Sequence, residues 1–299
     1  MIFRRKEEEY LKRKTMKKTM KGIVMMVAAV LLTGCTEHVR MNDTEDAVAA
    51  ERRVTFEVSN GDWNVTRALE ADGVTMTDLW VFDYVGDELV RTAHKVSSDA
   101  DFSSPSMSLQ YGEHTLYFVA SRGKTPTVDG TEITWEQPSD TFWKTVSVNV
   151  GSGSSSVVPV TLDRVATKLR VAVTDEVPEG VTQICVTPDV WWYGVDYMTG
   201  AAMLSQEIER SIAVPASYVG TTGQLVVNVF GMSDSDEWTT DVTISAKNGD
   251  GNVVGIVALD DVPFERNRAT NVSGSLFAAG TTFSVSLNDA WIDSYDLEW

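Results

Sequence analysis

Beyond residue 50 no helical period lasts more than about two turns; apolar residues instead alternate with polar ones in short runs broken by turn signals. Such a chain must bury one face of many short strands, which means sheet packed on sheet. The first series of runs is Arg53 to Val58 (with Val54, Phe56 and Val58 alternating), Thr77 to Tyr84, Glu88 to Val96, Ser106 to Gln110, His114 to Ser121, Lys144 to Val150 and Val157 to Leu162. The second is Arg164 to Thr174, Val181 to Thr187, Ile208 to Val214, Leu225 to Phe230, Val242 to Ala246, Val253 to Leu259, Thr270 to Phe277 and Phe283 to Leu287. Leu79-Trp80-Val81-Phe82 is unbroken apolar sequence, so both faces of that strand need cover and it is expected at the centre of its sheet. Tyr111-Gly112-Glu113 is expected to close a hairpin that makes its flanking strands antiparallel neighbours. Arg122 to Phe142, with three turn signals, reads as an irregular excursion; Gly151 to Ser156 reads as a hairpin loop, and Glu207 to Ile212 is the one stretch that suits a helix. Seven or so short antiparallel strands on either side of Asp163 predict an all-β chain of two tandem β-sandwiches, residues 52–162 and 163–299.

What precedes the strands reads as an address. Lys17, Lys18 and Lys21 stand before the apolar segment Ile23 to Leu32, which is too short to span a bilayer and has the length of a signal-peptide core. Leu32-Thr33-Gly34-Cys35 then has the lipobox pattern: small residues a peptidase accepts, followed by a thiol that can be acylated. Residues 1–34 are expected to be removed, with Met16 or Met20 a better start for such a leader than Met1. Two or three acyl chains on Cys35, each methylene adding about 0.8 kcal/mol, make attachment to a membrane effectively permanent. Residues 35–51 read as a lipidated, polar tether reaching roughly 20 to 24 Å.

Charge narrows the partners. The leader holds nine of the 25 basic and three of the 43 acidic residues, so the remainder carries a net charge of −24. A field of that sign repels phosphate backbones, which argues against nucleic acid. Of the two cysteines one is the lipidation site, so Cys185 has no partner for a disulfide. His38 lies in the tether, His94 and His114 stand in strands with no Cys or second His at ligand spacing, and no metal or other cofactor is expected. No H-E-x-x-H, G-x-S-x-G or Walker loop occurs, so no catalytic residue is assigned. Gly249-Asp250-Gly251 reads as a turn, and Asp234-Ser235-Asp236-Glu237 and Asp260-Asp261 as solvated acidic loops, lacking the Gly and distal Glu of a calcium loop. Trp191-Trp192-Tyr193 allows two readings, a sugar-stacking platform on a surface glycan-binding lipoprotein or a core plug at the end of a sandwich.

Several of these segments, in order, resemble one family. The lipobox, the early strand, Thr66-Arg67-Ala68, Asp78 to Tyr84 and Gly112 to Ala120, then Leu162 to Leu169, Arg266 to Thr270 and an aromatic end with Trp291 and Trp299, are similar to the fimbrillin superfamily of Bacteroidetes-type bacteria. The FimB-like anchor and fimbrial subunits are the most similar group. The resemblance implies transthyretin-like Greek-key sandwiches and a non-catalytic subunit of a surface fimbria, held as a lipoprotein at the outer membrane. It implies an Arg-specific protease that cuts between Arg67 and Ala68, loss of the strand holding Val54, Phe56 and Val58, and replacement of that strand by one from another subunit. Anchor subunits of the family keep both lipid and first strand. Three such side chains at roughly 1.5 to 3 kcal/mol each and five hydrogen bonds at roughly 1 kcal/mol sum to about 10 to 14 kcal/mol gross, enough for a durable joint.

Overall fold

The strand with two apolar faces sets the architecture. The computed structural model describes residues 50–60, 70–71, 74–205, 207, 209–233, 237–278, 280, 282–288 and 297–298. Contacts separate Met1–Val48, all of it outside the described residues, from Ala49–Trp299, the unit to which the following belongs. In chain order the strands are β1 (Glu51–Asn60), β2 (Glu70–Ala71), β3 (Val74–Thr75), β4 (Asp78–Val85), β5 (Glu88–Val96), β6 (Ser106–Gln110), β7 (Gly112–Ser121), β8 (Lys124–Asp129), β9 (Glu132–Gln137), β10 (Thr141–Val150) and β11 (Val157–Arg164). There follow β12 (Ala166–Val173), β13 (Val181–Pro188), β14 (Trp192–Asp196), β15 (Ala201–Ser205), β16 (Arg210–Ala213), β17 (Leu225–Met232), β18 (Trp238–Asn248), β19 (Val253–Phe264), β20 (Ala269–Gly274), β21 (Phe283–Asn288) and β22 (Leu297–Glu298). One 3₁₀ turn at Ala216–Tyr218 is the single helical element among the described residues, so the fold is all-β, as the alternation requires.

In the first half the strands are bonded in the order β5-β4-β7-β10-β11-β1-β6. β10 and β11 pair only at Phe142 with Arg164 and Trp143 with Asp163, and there the path turns a corner. β5-β4-β7-β10 thereby packs against β11-β1-β6 over a core that includes Leu79, Val81, Leu116 and Phe118 on one side and Val54, Phe56, Val58, Leu109 and Val160 on the other. In the second half β21-β20-β12-β17 faces β16-β13-β18-β19 across Leu169, Val171, Val227 and Val229 on one side and Ile184, Val186 and Ile244 on the other.

Both faces of β4 are covered, as the unbroken apolar run predicts. Leu79 and Val81 enter the first core, while Trp80, Phe82 and Tyr84 enter a third cluster with Ile133 and Trp135 of β9, Val195 of β14 and Tyr197 just after it. Phe82 stacks on Tyr197 at 3.7 Å between ring centroids, the Tyr84 and Tyr197 hydroxyls lie 3.0 Å apart, and the indole Nε1 of Trp143 donates to the Tyr197 carbonyl at 2.7 Å. Behind this cluster Arg164 forms a buried two-bond fork with Asp140 (2.8 and 3.1 Å) and donates to Asn267 Oδ1 at 3.0 Å.

Several local expectations are corrected. The excursion at 122–142 holds the hairpin β8–β9, which joins β14 in the sheet of the second half; sequence blocks divided at 162/163 therefore do not coincide with the sheets. Alternation in 124–137 is weak because β8 is exposed along its whole length, which leaves period 2 with no signal to give. β6 pairs with β1, not β7, although both face one core: the Tyr111-Gly112 connection crosses from one layer to the other. Three pairs, β1 with β11, β12 with β20 and β17 with β22, run parallel, since side-chain period is blind to strand direction. Residues 210–212 of the expected helical segment lie in strand β16, paired with β13.

Candidate strand-exchange site

β1 is short of apolar residues but uses every one of them. Period 2 puts Val54, Phe56 and Val58 on one face, at most 2% exposed, with Glu57 and Ser59 in solvent on the other. Phe56 meets the ring of Phe118 edge-on, at 5.3 Å. Each edge of β1 is occupied. Glu51 to Thr55 run antiparallel to Gln110 to Ser106, and Thr55 to Asn60 run parallel to Val157 to Leu162. Where β6 ends, the loop before it continues the ladder: Phe56 N–H donates to Pro105 O at 2.9 Å and Val58 N–H to Ser103 O at 3.0 Å.

Side chains add a clamp that sequence reasoning missed. Arg52 Nη1 donates to the carbonyls of Gly151 and Ser152 in the β10–β11 loop (3.2 and 2.7 Å), and the hydroxyls of Thr55 and Ser106 lie 2.8 Å apart. Partners 51 to 100 residues away leave no local signal. β1 is thus an interior strand whose departure would bare two edges, on β11 and on β6, and remove three side chains from one core. The occupant such a slot fits is an extended segment with apolar residues at alternate positions.

The other residues singled out by sequence fall as follows. Arg67 and Ala68 lie between the end of β1 and the start of β2, and like Cys35 are outside the described residues. His94 stacks on Trp80 and lies 2.8 Å from Asp78 Oδ1. His114 is buried, with Nδ1 2.7 Å from Asp83 Oδ1 and Nε2 2.9 Å from Gln110 O, which ties β7 to the end of β6 and to β4. Asn248 Oδ1 accepts from the N–H groups of Asp250 and Asn252, so Gly249-Asp250-Gly251 is the turn it reads as. Of 234–237 only Glu237 is described.

The aromatic triplet is no platform. Trp191 is fully buried in the second core, donates from Nε1 to Phe230 O at 2.9 Å and meets Phe264 edge-on at 5.0 Å. Gly231 makes room for it: a Cβ there would lie 2.5 Å from the indole. Trp192 is half-buried against Trp238. A stacking surface needs these rings in solvent, and the core takes the first of them.

The sequence model of a family of unknown function, DUF6562, matches residues 124–298, more than half of the chain. The chain belongs to this family. The DUF6562 match opens at Lys124, the first residue of β8, and so takes in the hairpin that joins the second sheet while leaving out β1 to β7. No curated protein matches the sequence. Among solved structures, this DUF6562 member shares its fold with a candidate adhesin from Bacteroides ovatus, at 13% identity and a TM-score of 0.51 over 86% of this chain and 98% of the other. It also shares it with a candidate polysaccharide-binding protein (DUF1812) from Bacteroides thetaiotaomicron, at 8% identity and 0.50 over 79% and 96%. The fimbrial anchor protein Mfa2 from Porphyromonas gingivalis is a looser match, 11% identical with a TM-score of 0.47 over 82% and 100%.

Proposed function

We propose that this protein is a structural, non-catalytic subunit of a cell-surface fimbria, fastened to the outer membrane by lipid on Cys35 and joined to other subunits by strand complementation at the β1 slot. The observation that carries the reading is the placement of β1: first strand of the fold, bonded on both edges, and filling one core with Val54, Phe56 and Val58 alone. In sequence Arg67-Ala68 lies between β1 and β2, where a cut by an Arg-specific protease would separate β1 from the strands that follow. Uncut, the protein keeps its own strand and serves as an anchor; cut, it accepts a neighbour's. The fold shared with a candidate adhesin fits a surface role.

Mass spectrometry of the protein taken from the cell envelope tests this. Diacyl or triacyl modification at Cys35 is expected for an anchor and a free N-terminus at Ala68 for a polymerising subunit. Gentle extraction is expected to recover it in high-mass, denaturant-resistant assemblies. An unmodified N-terminus upstream of Cys35, or monomer alone from cells that are making fibres, would end the reading.

A further inference from the structure

Alternation alone does not fix the register of a strand in the β1 slot. A slip of one residue turns the apolar side chains outward, but a slip of two keeps them inward. The inner face of β1 holds more than alternation. Arg52, Val54, Phe56, Val58 and Asn60 follow one another along it, so three apolar side chains, the middle one aromatic, lie between a guanidinium and an amide that is 3% exposed. The guanidinium meets a prepared site. Arg52 Nη1 donates to the Gly151 and Ser152 carbonyls at 3.2 and 2.7 Å, and the loop that presents them is held from within. Ser154 Oγ accepts from Gly151 N–H and donates to Asn149 O, both at 2.8 Å, and Ser154 N–H donates to Gly151 O at 3.2 Å. None of these three bonds involves β1.

We propose that the Gly151 and Ser152 carbonyls form a cation subsite that sets the register of a strand arriving in the β1 slot; this rests on the strand exchange proposed for β1. The partner it fits is an extended segment of another subunit, with arginine or lysine two residues before the first of three alternating apolar residues and an aromatic in the middle to face Phe118. Two carbonyls side by side can only accept, so they take a cation bearing N–H groups and repel a carboxylate. A slip of two residues would set the guanidinium in the pocket of Val54 or an apolar side chain on the carbonyls, and both leave polar groups unpaired. The net charge of −18 draws any basic segment toward the protein, whereas the subsite tells one position along that segment from the next.

The test uses the full chain with Cys35→Ser, which keeps it free of lipid, and with a specific protease site in place of Arg67-Ala68, cut after folding. Fluorescent ten-residue peptides with the sequence of residues 51–60 are then offered to the cut protein, and their entry into the slot is read by anisotropy. The parent peptide is expected to displace the cut strand. Arg52→Ala in the peptide is expected to weaken it about tenfold, the loss of hydrogen bonds from a charged donor, and Arg52→Lys by about threefold at most. Arg53→Ala removes the same charge from the neighbouring, exposed position and is expected to cost about twofold at most. An Arg52→Ala peptide that binds as well as the parent, or equal losses at positions 52 and 53, would overturn the subsite while strand exchange stands. If no peptide enters the cut protein, strand exchange fails and the subsite fails with it.

Discussion

β1 and β12 hold the same place in their halves of the molecule, yet they are built differently. Each opens its half, runs parallel to a late strand (β11 and β20) and antiparallel to another (β6 and β17). β1 buries one face and leaves Glu57 and Ser59 in water. β12 buries Ala166 to Leu169 without a break; Lys168 is 3% exposed, with its amine 5.8 Å from the Phe230 ring. β12 also begins two residues after Arg164, which is tied to its buried partner Asp140. A strand held by one core can be withdrawn. One held on both faces and pinned at its start cannot.

The comparison breaks first at the pin. Asp140→Ala would strand the Arg164 charge in the interior and is expected to cost about 3–5 kcal/mol, read as a lowered urea midpoint. Loss under 1 kcal/mol would mean that β12 is not fixed by this pair. Next comes Phe56→Ala, expected to cost about 3 kcal/mol by opening a cavity against Phe118. Hydrogen exchange sharpens that result: in the variant the β1 amides should exchange before those of β12, and simultaneous exchange would show that β1 has no independence. The smallest effect is at the cluster between the halves. Tyr197→Phe is expected to cost about 1 kcal/mol at pH 7 through the lost bond to Tyr84. Burial first, and then that bond, raise the Tyr197 phenol above its ordinary value of 10. The unfolded chain therefore ionises first: the contribution is whole below pH 10 and is lost as pH climbs beyond it. The alkaline decline in melting temperature should be shallower in Tyr197→Phe than in the parent.

Much of the fold was legible residue by residue. The spans 88–96 and 106–110 emerge as expected, the two-faced run in β4 demands cover on both sides and receives it, and an all-β chain follows from alternation alone. What escaped reading were relations between distant segments. β8–β9 looks irregular because β8 is the edge strand of its sheet and is exposed along its whole length. Trp191-Trp192-Tyr193 allowed both a platform and a core plug, because three aromatics in a row say nothing about which ring the core will take.

Side-chain period and turn chemistry are local, so the sequence by itself determined that this protein is made of strands, where most of them run and which positions face inward. Which strands become neighbours, in what direction, and which of two equivalent opening strands is bound on one face or two depend on contacts between residues a hundred positions apart. Burying each leftover apolar face against the only other one available decided those, and that choice exists only once the whole chain is folded.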